Sequence, residues 1–362
     1  MAWLDSFLQV VIDQRGSDLH LHAGKPPIVR LDGELVPLPY RQLTDAEARR
    51  FLYQVITPDQ RDQLARDQQL DFIHIIPGLA RFRANAFVQQ EGMSAVFRVI
   101  PNRLPTLEEL MLPRSIRRLT EMQNGLVLIT GPTGSGKTTT LAAMLHQINA
   151  SSQRHVITLE DPVEFVHRPL QSVVTQREVG RDVATFSEGL RSALRESPDV
   201  LMVGELRDEE TVSLALQAAE TGVLVLGTLH TNSASKAIDR VIDAVPPANR
   251  EQARSVLSVL LRGVVAQYLC KRSSGEGRLA ALEVLLNSFA VANMIREGKT
   301  HQIEGYLQSG SNEVTGMQSM DQCLWRYVRD GLIDPDEALR AANNPEQLRL
   351  RMDQLDQLDQ ET

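Results

Sequence analysis

The 362-residue sequence predicts an α/β protein in which a small α+β domain precedes a larger domain built on a mostly parallel sheet. Three observations carry this. Beyond Gln123, apolar runs at Leu126–Thr130, Val156–Glu160, Val200–Gly204 and Val223–Thr228 alternate with amphipathic stretches, as a parallel sheet covered by helices requires. Before Arg103 the pattern is mixed, with one helical repeat and several short alternating runs. Between them, Pro101–Pro113 contains three prolines and reads as a linker.

In the first domain, Trp3, Phe7, Leu8, Val11 and Ile12 repeat at helical spacing. Strands are expected at Leu19–His22 and Ile28–Leu31, with Gly24-Lys25-Pro26-Pro27 and Asp32-Gly33 as turns. Thr44 is placed to cap a helix carrying Ala48, Phe51, Leu52 and Val55, and Asp71–Ile76, Ala80–Gln89 and Ser94–Ile100 read as further strands. In the second domain, a helix over Asp208–Thr221 presents Val212, Leu216 and Ala219 on one face, and Gly222 supplies its C-terminal cap. From Asn249 onward helices are expected to dominate. Gln347–Thr362, with Leu348, Met352, Leu355 and Leu358 among repeated Asp-Gln-Leu units, is read as an acidic tail in preference to a short helix. The resulting division is 1–103, a linker over 104–113, a sheet domain over 114–286, a helical region over 287–345 and a tail over 346–362.

A chain that is 42% hydrophobic and 23% charged has ample material for two cores and is not globally disordered. It has no run near the roughly 20 apolar residues that cross a bilayer, and Met1–Gln14 lacks the features of a secretory signal, so a cytoplasmic protein without direct membrane insertion is expected. Cys270 and Cys323 are too few for a disulfide framework or a cysteine-based zinc site and read as buried thiols. A net charge of −8 disfavours a nucleic-acid-binding surface.

The chemistry begins at Gly131-Pro132-Thr133-Gly134-Ser135-Gly136-Lys137-Thr138, followed by Thr139, which fits G-x-x-x-x-G-K-[ST] between an apolar strand and a helix carrying Leu141, Leu145 and Ile148. Glycines let such a loop aim backbone N–H groups at phosphate oxygens, Lys137 supplies a cation to the β- and γ-phosphates of ATP, and the Thr138 hydroxyl is a ligand for Mg²⁺. A chance match in a chain this long has a probability on the order of 1%. Hydrolysis also needs an oriented water and stabilised charge. Two strand ends offer carboxylates: Glu160, Asp161 and Glu164 after one, Glu205 after another. Either alone reads more readily as a cap or solvated loop; beside the phosphate loop both become candidates. His230, ending the next strand in Thr228-Leu-His230-Thr231, is placed to sense the γ-phosphate. His20 and His22 share a strand face, but no further nearby Cys or His completes a metal site.

Together these segments resemble the PilT-type ATPases that retract type IV pili, in the secretion-ATPase superfamily of RecA-like hexameric motors. The resemblance covers about residues 5–345. It rests on Ser17-Asp-Leu-His-Leu21, Arg81-Phe-Arg83-Ala-Asn85, the phosphate loop, Glu160-Asp-Pro-Val-Glu164, Gly204-Glu205-Leu-Arg207-Asp208, the segments Ala219–Gly222 and Gly227–Thr231, and Gly316-Met-Gln-Ser-Met-Asp321. It implies a RecA-like P-loop NTPase domain, a PAS-like N-terminal domain and a helical C-terminal region. It further implies that Glu164 activates water, that Glu205 is the Walker B acid near Mg²⁺, and that Arg81 and Arg83 reach the nucleotide from the N-terminal domain. The implied assembly is a homohexamer, peripheral to the inner membrane, acting on a pilus platform protein, with a paralogous pilus ATPase as a further partner. Two positions depart from the resemblance: Val223 stands where a second histidine is usual, and Ala292 where an arginine is usual, although Arg296 and Glu297 remain. They admit an accessory paralogue as an alternative to a retraction motor. A RecA-like nucleic-acid translocase is the other alternative, and the acidic balance counts against it.

Overall fold

The computed structural model describes residues 3–31, 33–100, 103–310 and 315–360. The chain divides into two compact units, Met1–Arg103 and Leu104–Thr362.

The first unit contains α1 (Trp3–Asp13), β1 (Asp18–His22), β2 (Ile28–Leu31), β3 (Glu34–Pro37), α2 (Asp45–Tyr53), α3 (Pro58–Asp67), β4 (Gln69–Ile76), β5 (Ala80–Gln89) and β6 (Gly92–Ile100). Its strands form an antiparallel sheet in the order β3-β2-β1-β6-β5-β4. Alternation does what it should here: Leu19 and Leu21 of β1 and Phe82, Ala84 and Ala86 of β5 are buried with Leu4 and Leu8 of α1 and Phe51 and Leu52 of α2. Thr44 caps α2 as its position suggested, accepting from Glu47 N while the Glu47 carboxylate accepts from Thr44 N at 3.0 Å. Arg81 and Arg83 lie on the other face of β5, and Arg83 pairs in register with Arg98 of β6, which donates to Asp18 at 2.9 Å. The rings of His20 and His22 stack, 5.9 Å between centroids.

The second unit contains α4 (Arg114–Thr120), β7 (Gly125–Thr130), α5 (Lys137–Ser151), β8 (His155–Glu160), β9 (Val173–Glu178), α6 (Phe186–Ala193), β10 (Val200–Val203), α7 (Glu209–Glu220), β11 (Leu224–Leu229), α8 (Ala234–Asp243) and α9 (Arg250–Leu260). It continues with β12 (Leu261–Lys271), β13 (Arg278–Leu286), α10 (Phe289–Arg296), α11 (Gln302–Gly310), α12 (Met320–Arg329), α13 (Pro335–Ala341) and α14 (Pro345–Gln360). The sheet order is β13-β12-β7-β11-β10-β8-β9, parallel throughout except for the antiparallel pair β12–β13. Every residue of β7, β10 and β11 is buried, which explains why they read as continuous apolar runs.

Three expectations need correction. The region after Asn249 is not dominated by helices alone, because β12 and β13 run through it and β12 lies beside the phosphate-loop strand. The C-terminal part of the expected linker is packed: Leu107 is buried with Ile116 and Leu119, while Pro101 and Asn102 lie outside the described residues. The expected acidic tail is instead helix α14 through Gln360. Leu348 and Met352, one helical turn apart, are buried against Leu324, Tyr327 and Ile333, and the Arg351 guanidinium sits 4.5 Å from the centroid of the Trp325 ring. Leu348→Ala should therefore lower unfolding stability by about 2–5 kcal/mol, whereas Leu350→Ala, at a position 66% exposed, should change it by less than about 0.5 kcal/mol. Urea denaturation of both variants checks this, and equal effects would return the segment to a tail.

Candidate functional site

Parallel register brings four strand ends to one edge of the sheet. Thr130 of β7 pairs with Leu229 of β11, Val203 of β10 pairs with Gly227 of β11, and Val203 also pairs with Leu159 of β8. The loops leaving these strands carry the phosphate-loop residues, Glu160 to Glu164, Glu205 and His230, so every candidate in the second unit converges there.

The phosphate loop leaves β7 at Gly131, where φ is 149°, and enters α5 through Gly136, a left-handed N-cap with φ of 87°. Neither position tolerates a side chain. A Cβ on Gly131 would lie 2.3 Å from the Gln267 carbonyl oxygen, and one on Gly136 would lie 2.8 Å from Gln267 Nε2. Pro132, Thr133 and Gly134 are exposed at the loop tip, Ser135 and Lys137 are buried, and Thr138 and Thr139 are half-buried on the first turn of α5. Lys137 Nζ donates to Gly131 O at 2.8 Å and Pro132 O at 3.1 Å, and reaches His230 Nδ1 at 3.5 Å. Burial lowers the Lys137 pKa, opposed by the charge of Glu205. A desolvated ammonium on neutral carbonyls, backed by a helix N-terminus, suits a polyphosphate.

Glu205 and His230 extend this contact. His230 Nε2 lies 3.3 Å from Glu205 Oε1, and the other Glu205 oxygen takes Arg207 Nε at 2.6 Å. His230 thus has Lys137 at Nδ1 and Glu205 at Nε2, one ring nitrogen for each neighbour. Glu160, which ends β8, and Glu164, in the loop after it, differ. Glu160 is buried, accepts from Thr158 Oγ1 at 2.6 Å and Gln176 Nε2 at 3.0 Å, and takes the Glu164 backbone N–H; burial raises its pKa. Its hydrogen bonds serve the loop. Glu164 is half-buried, four residues further on in the loop. Arg81 and Arg83 belong to the N-terminal unit.

Two supports were not anticipated. Gln267 of β12 donates through Nε2 to Ser135 O at 2.6 Å and accepts Thr140 Oγ1 at 2.7 Å, bracing the phosphate loop and α5 from the neighbouring strand. Its only sequence signal is a polar side chain within the apolar run Val264–Cys270. Thr130 and Thr231 lock the ends of β7 and β11 together, with Thr231 N donating to Thr130 Oγ1 at 2.9 Å. Gln267→Leu should leave Ser135 O and Thr140 Oγ1 without their buried partner and weaken ADP binding about tenfold, a loss of about 1.4 kcal/mol. Titration calorimetry with ADP measures it, and unchanged affinity would mean the loop keeps its shape without the brace.

The surrounding chain matches known proteins over nearly its whole length. A family model described as "Type II/IV secretion system protein" matches residues 2–331. The "Type IV pilus retractation ATPase PilT" of Pseudomonas aeruginosa is 47% identical over 333 residues, covering 92% of this chain and 96% of that protein. The same organism's "Type IV pilus ATPase PilU" is 38% identical over 346 residues, covering 96% of this chain and 90% of that protein. A crystal structure of the pilus retraction motor PilT with bound ADP superposes with a TM-score of 0.89 at 42% identity, over 96% of this chain and 99% of that one. With the phosphate loop set on a RecA-like parallel sheet and these likenesses spanning both units, the chain belongs to the type II/IV secretion system protein family, as a nucleotide-binding PilT-type ATPase.

Proposed function

We propose that this chain hydrolyses ATP as the subunit of a hexameric motor that retracts type IV pili by disassembling pilin. The observation that carries the reading is the continuous contact from Lys137 through His230 to Glu205, which joins the phosphate loop, the histidine strand end and the acidic strand end in one cluster. The likeness to PilT over both units supports the pilus assignment.

ATP is the substrate, with its phosphates on the backbone N–H groups of Gly134 to Thr139 and on Lys137. Thr138 Oγ1 and Glu205 would hold Mg²⁺. One or two protein oxygens beside substrate phosphates are the usual set for that ion, and among the described residues no group of three or more His, Cys, Asp or Glu side chains forms a cage for a metal. When bound, Mg²⁺ neutralises charge developing on the transferring phosphoryl group. Glu164 orients the attacking water and accepts its proton; Glu160, buried and hydrogen-bonded, keeps the loop that bears it in place. His230 lies between Lys137 and Glu205, where loss of the γ-phosphate changes the charge it faces. Arg81 and Arg83 supply further cations to the phosphates. The motor acts in the cytoplasm against an inner-membrane platform protein. Among the described residues no helix is long and apolar enough to cross a membrane itself.

An accessory role beside a second pilus ATPase is the alternative, favoured by Val223. That side chain is buried in the apolar core, and the Val223 backbone carbonyl accepts Gly125 N at 3.1 Å, at the end of β7 away from the phosphate loop.

Glu164→Gln should bind ADP within about twofold of the parent and lose turnover by about 10²-fold or more, whereas Lys137→Ala should lose nucleotide affinity itself. Phosphate release and a fluorescent ADP analogue read the two effects separately. Retained turnover in Glu164→Gln would remove that residue from the chemistry.

A further inference from the structure

The segment Gly316–Asp321 and the buried carboxylate of Glu283 play no part in the chemistry above, yet they meet at one place. Glu283 lies on β13, where it is 3% exposed. Its Oε1 accepts the backbone N–H of Ala234, the first residue of α8, at 2.7 Å. Its Oε2 accepts Asn343 Nδ2 at 3.2 Å, from the turn between α13 and α14, and its carboxylate also takes the Met320 backbone N–H at the start of α12.

Both sides of this junction are anchored. On one side, α8 follows directly on the His230–Ser233 loop, and Thr231 of that loop is fastened to Thr130 at the root of the phosphate loop. On the other, Gln318 forms an antiparallel bridge with Val284, accepting Val284 N at 2.8 Å, and its side chain donates to Leu282 O at 2.8 Å. Asp321 then accepts Asn343 N at 2.7 Å and Asn344 N at 3.0 Å. Hydrogen bonds thus run from the phosphate-loop root to the C-terminal helices with one carboxylate at the crossing, beside a cavity of about 250 Å³.

We propose that Glu283 is a positioning residue that sets the His230 loop and the C-terminal helices together, so that rearrangement of one is transmitted to the other. This rests on the reading that His230 faces the nucleotide. A carboxyl group suits the task because its two oxygens accept three N–H groups from three different elements at once, whereas an amide side chain has a single acceptor oxygen. The charged groups around it are Lys236 from α8, Glu304 from α11 and Asp321 from α12. Burial pushes the Glu283 carboxyl up to about 7, reinforced by Glu304 and Asp321 and opposed by the Ala234 and Met320 N–H groups. Its folded value lies above its ordinary 4.5, so the neutral form is favoured in the fold; the stability this adds is full below 4.5 and is lost as pH rises through 7.

The test compares Glu283→Gln and Asn343→Ala with the parent chain, each as the assembled full-length protein, by ATP turnover, ADP binding and thermal melting. If Glu283 couples the two elements, each variant lowers kcat about tenfold while ADP affinity stays within about twofold, and the double variant is no worse than the worse single. Glu283→Gln also removes the parent's fall in melting temperature between about pH 5 and about pH 8. Unchanged kcat in both single variants overturns the proposal, as does a loss of kcat matched by equal losses of ADP affinity and melting temperature, since that marks a merely structural contact. Glu205→Gln serves as the reference: if it too turns over normally, the reading of the site has failed, and if it alone loses turnover, only the coupling through Glu283 has.

Discussion

Thr130, Leu229, Val203 and Leu159 are held in register by buried backbone hydrogen bonds between parallel strands, and the position of every chemical group in the second unit follows from that register. A parallel sheet covered on both faces directs the loops after its strands to one edge. Slipping β11 by one residue against β7 would turn its side chains to the opposite face and separate His230 from Lys137. Burial enforces the alignment, because β7, β10 and β11 have no solvent-facing residue on which a slipped pairing could be tolerated.

Around that edge, the fold separates groups that hold the loops from groups left for chemistry. Gln267, Thr130, Thr158 and Gln176 spend their hydrogen bonds on neighbouring backbone and side chains. Glu160 does likewise and is buried with a raised pKa, whereas Glu164, four residues on, remains half-buried. Of two glutamates in one short segment, the deeper burial of Glu160 thus assigns it to support. The same logic explains Lys137, whose ammonium is desolvated and faces neutral carbonyls until an anion arrives.

The phosphate loop, its flanking strand and helix, and the acidic and histidine strand ends were legible because each couples a strict residue pattern to an apolar run. Strands β12 and β13 were not. Leu260 ends α9 and Leu261 begins β12 with no glycine or proline between them, and Arg278–Leu286 is made mostly of leucine and alanine, both good helix formers. Pairing with β7 decides the matter, and pairing is a long-range fact. Gln267 was hidden for the same reason: a glutamine in an apolar run acquires meaning only when the strand carrying it lies beside the phosphate loop. In α14, Leu348 and Met352 were visible at helical spacing, but the surface of α12 and α13 that receives them was not. Most of the N-terminal sheet was legible because its alternation is local, whereas β3, exposed at all four of its residues, carries no such alternation and was missed.

A retraction motor in its own right should shorten pili in a cell that holds no other retraction ATPase. The most direct measurement is pilus retraction, followed by labelled pili in living cells, in a strain lacking its own retraction ATPase and supplied with this chain. Retraction should return with the parent chain and fail with Glu164→Gln. Pili that extend but never retract, although the purified chain hydrolyses ATP, would contradict a motor role and leave the accessory role as the better description.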